Sequence, residues 1–446
     1  MTKKTRLIIL LFCIVCFLLI APILVAYSMG YRFDFDKDKI VATGGIYVRS
    51  FPAADQIIVD SGIAEKPGLF GSSVFVQSLL PKNHTVSIKK SGYYDYYKTL
   101  PVLENQVTKI ENVLLIKKNI KFTDISEKID YFSIAPNNQN IITATYSTKS
   151  TTFEYFSLNS KNTPKTFSVP VAGTLENIKW SDDSNEALID VKTAINDYYY
   201  LFNSTLQKPS ATRLSYLDKT SQQIYFSQQN SESILYIKNQ KLYSAKGNVS
   251  LPIISNVISF RISGTNITWL SSKGVLSNSD FSGKLVNAIT LKNFPVDNKK
   301  IYKIISLYGT TFLQEDSALF ELNPTTKIFE LVEVPLTNYK ILTSGDGKNL
   351  IYWNPEKIYL YSLETKKFAQ LFSGSQITAC QWFNNDYIIF TSGDKVIISE
   401  IDYRGNINSI ALPQAFNSPQ MFFNPSDNKI YVLNQKTLSS SEKITP

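Results

Sequence analysis

A single histidine, His84, stands among the 446 residues. Ser-His-Asp triads, His-based zinc sites and most general-base chemistry need an imidazole in a pocket, so one residue carries whatever remains of those classes. Glycine is scarce, 18 residues in all, which speaks against glycine-rich phosphate loops. No Gly-x-Gly-x-x-Gly, Gly-x-Ser-x-Gly or His-Glu-x-x-His occurs in the chain. Of the three cysteines, Cys13 and Cys16 fall in the first apolar run and Cys380 stands alone. No pair is left for a disulfide beyond that run, so the fold rests on core packing in any redox compartment. Nor is there a basic stripe. Residues 1–39, 40–119 and 120–446 each contribute +3 to the net charge of +9. That spreads the excess over a solvated surface and argues against nucleic acid as a partner. No catalytic, cofactor-binding or metal-ligating residue is therefore expected.

What is present begins with Leu7 to Ala26, 20 apolar residues without a charge, preceded by Lys3, Lys4 and Arg6. A helix of that length spans about 30 Å, the thickness of a bilayer's hydrocarbon core. The pattern predicts a transmembrane helix over 7–29. The basic flank 1–6 stays in the cytoplasm, and everything beyond Tyr27 lies outside a single-pass cell-membrane protein. A cleaved signal peptide ending at Ala26-Tyr27-Ser28 is the alternative, although its apolar region is usually about 7–15 residues. Phe12 before Cys13, where a small residue should precede the modified cysteine, speaks against a lipoprotein. Residues 30–41 read as a solvated linker. Their alternating Asp34, Asp36 and Asp38 look like the start of a calcium loop, but Lys39 and Gly45 stand where such a loop wants Gly and Glu.

Residues 42–117 alternate in short strands. Gly44 to Ser50, Gln56 to Asp60, Val74 to Val76 and His84 to Ile88 are separated by Phe51-Pro52, Ser61-Gly62 and Leu80 to Asn83. Two further strands over Thr99 to Leu115 flank a turn at Glu104-Asn105. Such a series predicts a compact β-sandwich. In the order of Gly45 to Val48, Ser50-Phe51-Pro52, Ile57 to Asp60, Lys66-Pro67, Leu80-Pro81 and Gly92-Tyr93, the segment resembles the PEGA domain of bacterial and archaeal cell-surface proteins. It departs from the family at Pro52-Ala53-Ala54-Asp55, where the family has Pro-Glu-Gly-Ala. The resemblance implies a β-sandwich and carries no catalytic residue. His84, at a strand start after a turn, reads as a half-exposed surface residue.

Residues 118–446 repeat. A polar turn such as Asn137-Asn138, Asp182-Asp183, Asp346-Gly347, Asn384-Asn385 or Ser426-Asp427 is followed each time by an apolar strand. The first apolar residues after these turns and three fainter ones are Ile141, Leu188, Ile224, Ile267, Phe312, Leu350, Ile388 and Ile430. Their spacings are 47, 36, 43, 45, 38, 38 and 42 residues. A period near 40 with several strands per unit predicts a β-propeller of eight blades, or seven if a faint turn is spurious. A series of sandwiches or a solenoid is the alternative. The turns Trp180-Ser181-Asp182-Asp183 and Phe423-Asn424-Pro425-Ser426-Asp427 resemble the Trp-Ser-Pro-Asp-Gly turn of TolB-like and WD40-like propellers. The strand over Asn119 to Ile125, orphaned before the first turn, is expected to complete the last blade. The tail from Ser441 to Pro446 is expected to be dispensable.

The fold class read from sequence is thus all-β with one N-terminal helix, a PEGA-like sandwich and a propeller, the last two melting separately. The function expected is that of a membrane-anchored extracytoplasmic binding or scaffold protein of the cell envelope. Its partner would be a protein or an envelope polysaccharide. The rival is a propeller enzyme acting on envelope glycan or peptide through carboxylates in the channel. Tyr94, Tyr96 and Tyr97, and Tyr198 to Tyr200, are stacking platforms if loops expose them and core if strands bury them.

Overall fold

The computed structural model of the chain describes residues 3–60, 62–65, 71–158, 163–227, 233–307 and 309–445. Ser61, Lys66-Pro67 and Tyr308 lie outside the described residues. A helix over Lys3–Ser28 contains the whole apolar run. With a mean hydropathy of 3.4 and no burial against the rest of the chain, it is long and apolar enough to cross a membrane. Beyond it the chain is built of strands and forms two compact units. The first comprises Met1–Ile120, Ile397–Pro413 and Ile444–Pro446, and the second Lys121–Val396 and Gln414–Lys443.

In the first unit, the segment expected as a solvated linker is a hairpin of β1 (Tyr31–Asp34) and β2 (Lys39–Ala42). The aspartates make its turn. Asp34 is buried, its Oδ1 accepts the Asp36 amide at 3.0 Å, and Asp38 takes a φ of 50°. No group of three or more His, Cys, Asp or Glu side chains suited to a metal ion occurs among the described residues.

The sandwich follows as β3 (Gly44–Phe51), β4 (Gln56–Val59), β5 (Ile63–Glu65), β6 (Ser73–Leu79), β7 (Asn83–Lys89), β8 (Tyr96–Pro101) and β9 (Val107–Leu114). One sheet has the order β6-β3-β9 and the other β5-β4-β7-β8. Alternate residues of both, among them Ile46, Val48, Ile57, Val59, Val86 and Ile88, meet in one core. His84 departs from expectation and is buried. Its Nδ1 lies 2.7 Å from Asp60 Oδ2 and its Nε2 2.8 Å from the Leu80 carbonyl. The reason is non-local: the end of β4 brings Asp60 beside the start of β7, and the Leu80 turn folds back over the ring.

A second non-local lock involves Ile397–Pro413. Lys98 on β8 is completely buried. Its ammonium donates to Glu400 Oε1 at 2.5 Å and to the carbonyls of Asp402 and Asn406 at 2.7 and 3.1 Å.

The second unit carries the propeller apart from Ile397–Ala411. Eight four-stranded sheets occupy 131–169, 174–213, 222–255, 257–288, 302–332, 340–373, 380–411 and 420–441, and are numbered here as blades 1 to 8. Within a blade, period-2 alternation sends successive residues to opposite neighbours. Ala187, Ile189 and Val191 of blade 2 pack toward blade 1, while Leu188 packs toward blade 3. The repeated polar turns are side-chain turns. Asp183 Oδ1 accepts the Ser181 hydroxyl and the Asn185 amide. Asp346 Oδ1 does the same for Ser344 and Lys348.

Seven of the eight marker residues lie on the second strand of their blade. Ile224 does not: it lies on the first strand of blade 3, Gln222–Phe226. The polar turn at Asp218 is an entrance to that blade, where the Asp218 carboxylate accepts the Thr220 amide and the Lys238 ammonium.

The ring closes through β10 (Phe122–Glu127), which pairs with Thr437–Ser441 as the outermost strand of blade 8. This is the expected strand, starting at Phe122 rather than Asn119. The tail reading fails. Ser441 belongs to the paired strand, and Ile444 and Thr445 are buried. An apolar residue three positions beyond a polar strand end gives no local sign that it is covered.

Candidate functional site

The first strand of every blade lines the axis of the propeller. These strands are Tyr131–Ile134, Thr174–Trp180, Gln222–Phe226, Val257–Ser263, Tyr302–Leu307, Lys340–Thr343, Cys380–Trp382 and Gln420–Asn424. Their side chains bridge from blade to blade. Trp180 Nε1 donates to Ser133 Oγ at 3.0 Å, and Lys179 Nζ to the Ile224 carbonyl at 3.2 Å. Glutamines do most of this work. Gln381 accepts the Phe423 amide, and Gln420 donates to the Phe132 carbonyl. Gln223 accepts the Phe260 amide and donates to the Tyr302 carbonyl, so it joins blades 3, 4 and 5 at one point. Buried backbone groups on the inner strands are thereby satisfied without a further strand.

No family model and no curated protein matches the chain. Solved structures do. It is similar to the Dos1 propeller, at 10% identity over 73% of this chain and 95% of that one, with a TM-score of 0.48. It is similar to the computationally designed Ika8 protein at 9% identity, over 71% and 96% of the two chains, with a TM-score of 0.45. A chain of the COPII outer-coat vertex on membranes matches at 10% identity, over 73% and 86%, with a TM-score of 0.41.

Charge on the eight inner strands is one-sided. They carry Lys179, Arg261, Lys303 and Lys340 against one carboxylate, Glu176, and Glu176 pairs with Lys192 at 3.2 Å. Lys340 lies over the Trp353 ring. The other three cations line a cavity of about 510 Å³ between blades 2 and 5, together with Trp180, Tyr225 and Phe260. Arg261 and Lys303 have no carboxylate within ion-pair distance among the described residues. Burial holds all three groups below their ordinary values. At Lys179 the nearby Asp190 offsets part of this and Lys303 adds to it, and Arg261 depresses Lys303. Tyr225 packs edge-on against Phe260 at 5.5 Å between ring centres and keeps 37% of its surface exposed, so it is the aromatic the cavity presents.

The tyrosine clusters resolve differently. Tyr199 and Tyr200 are buried in the strand Asp197–Asn203 and are core, while Tyr198 is half-buried beneath Arg213. Tyr96 is buried, Tyr94 half-buried and Tyr97 exposed. None of these residues lines the channel cavity.

Behind it, Asp190 on the second strand of blade 2 has an Oδ1 that is buried with no hydrogen-bond partner. Burial, reinforced by Asp197, pushes its carboxyl up to about 6. A carboxyl raised in the folded state favours folding while protonated. The penalty for ionising it is absent below the unfolded value of 3.8, grows as pH rises through about 6 and is complete at pH 7. Asp190→Asn is expected to raise stability at pH 7 by on the order of 1 kcal/mol, net of the lost attraction to Lys179 and of solvent screening. At pH 4 it brings no gain. Urea unfolding at the two pH values measures this, and an unchanged midpoint at pH 7 refutes it.

Proposed function

We propose that the chain is a membrane-anchored, extracytoplasmic binding protein whose propeller is the interaction platform. The observation that carries this reading is the channel: its inner strands bring together cations, where hydrolysis by channel carboxylates needs convergent acids. The single apolar helix and its basic flank support anchoring with the N-terminus in the cytoplasm. The two-sheet sandwich next to the helix, whose sequence resembles a PEGA domain, serves as the spacer. The partner is a protein of the cell envelope, with an envelope polysaccharide as the other class.

Topology is the test. Protease added outside intact cells or spheroplasts should attack the chain beyond Tyr27 and leave a small fragment in the membrane. Protection of the propeller overturns the orientation, and a mature N-terminus near Gly30 overturns the anchor.

A further inference from the structure

The geometry points to a binding site for a multivalent oxyanion in the channel cavity, where Lys179, Arg261 and Lys303 converge from three different blades. The ligand bears two or more phosphate or carboxylate charges. This deepens the platform reading above by naming what one face of the channel takes.

Three observations support it. First, the cavity walls hold three cations against one carboxylate, Asp182, which is exposed at its edge. Like charges so placed repel one another, and burial weakens the screening that water would supply. A surface at this position needs no such crowding. Second, none of the three cations forms an ion pair among the described residues, although Asp190 behind the cavity attracts Lys179. Lys179 donates to a single carbonyl, that of Ile224, and sits 5.5 Å from the Tyr225 ring centre. Arg261 keeps its planar fork, the geometry that takes two oxygens of a phosphate or carboxylate at once. Third, the cavity is large enough. At about 510 Å³ it falls within the range of small-molecule sites, roughly 300–1,000 Å³. Tyr225 and buried Phe260 give it an apolar wall against which the body of such a ligand can lie.

Pyrophosphate and citrate distinguish the two sources of charge. Each is titrated into the full-length protein in detergent at low and high salt, with heat of binding and the thermal unfolding midpoint read together. A ligand that binds only the folded state raises the midpoint with concentration. Saturable stabilisation by either anion, weakened by salt, is expected. Pyrophosphate alone assigns the site to phosphate, citrate alone to carboxylate, and both to charge without further selection. Arg261→Gln and Lys303→Gln should each weaken binding by about tenfold. Without ligand, each should melt no lower than the parent, because repulsion is relieved. Lys340→Gln, outside the cavity, should bind as the parent does. Should one variant fail to fold, the other carries the comparison. Absence of saturable stabilisation, or equal binding by the parent and both variants, overturns the site. Neither result bears on the topology experiment, so the anchored-platform reading stands or falls separately.

Discussion

Replacing Lys98 by methionine should destabilise the first unit by about 3–5 kcal/mol, the usual result of leaving one partner of a buried ion pair uncompensated. Every proton of the Lys98 ammonium has an acceptor. Glu400 is equally occupied: its Oε1 also accepts from the Asn408 amide and side chain, and its Oε2 accepts the Tyr96 hydroxyl at 2.8 Å. Methionine fills the space of the lysine stem but leaves the carboxylate buried without its cation. The loop that follows Glu400 is fitted closely to β8. Gly405 has a φ of +65°, and a Cβ there would collide with the Thr99 carbonyl oxygen, so no other residue closes this loop without strain. Asp402 is held by Arg404, and the same guanidinium donates to the Lys109 carbonyl at 2.9 Å. Glu400→Gln should cost a similar amount, because the ammonium is then the orphan. The double variant Lys98→Met, Glu400→Leu should recover part of the loss, since apolar packing often replaces such a pair. Denaturant midpoints of the three proteins decide it, and single variants within about 1 kcal/mol of the parent refute the argument. The same geometry predicts that an excised 42–117 fragment lacks the partner its buried Lys98 requires, so it should be markedly less stable than the intact chain.

Much of the architecture was written in local pattern. The 20-residue apolar run, the short strands of 42–117 and the polar turns of the repeat each rest on residues close in sequence, and the helix, the described strands and most of the turns lie where they were expected. The eight-blade count survived one misplaced marker, Ile224, because an entrance turn and an inner turn use the same polar chemistry. What escaped was non-local. His84 reads as a surface residue until Asp60 is seen beside it, and nothing near Lys98 in the sequence announces Glu400, 302 residues away. The channel cations escaped for the same reason. Lys179, Arg261 and Lys303 stand one to a blade, so no window of sequence holds two of them, and only the ring brings them together. The glutamines Gln223, Gln381 and Gln420 did leave a trace, each one or two residues from an apolar pair on a first strand. That signal becomes legible only when the blades are already aligned.

Closing the ring is the other interaction whose loss should be severe. Removing residues 436–446 takes away the partner of β10 and the third strand of blade 8 in one step. Phe122 to Glu127 would lose their pairing. The Ser439 hydroxyl would lose its bond to Asp124 at 2.6 Å, and Ile129 its amide bond to the Lys436 carbonyl. Leu438, fully buried, leaves the cluster in which Phe132 and Ile141 of blade 1 meet Tyr431 and Leu433 of blade 8. Two unpaired edges then face solvent, which favours aggregation, and the expected product is insoluble. Point variants grade the effect. Leu438→Ala and Ile444→Ala should each cost about 2–5 kcal/mol as large-to-small changes at fully buried sites. Leu331→Ala, at a position 61% exposed, should stay within about 0.5 kcal/mol of the parent. A cross-link tests the register itself. Thr123 faces Ser440 across the closing pair, so Thr123→Cys with Ser440→Cys should oxidise to a disulfide that closes a loop around nearly the whole propeller. The chain-entropy model gives such a loop up to about 5 kcal/mol of stabilisation, set against any strain in the bond. Failure of the pair to oxidise in the folded protein, together with a soluble and stable product of the 436–446 deletion, would show that the ring is held shut by something other than this strand.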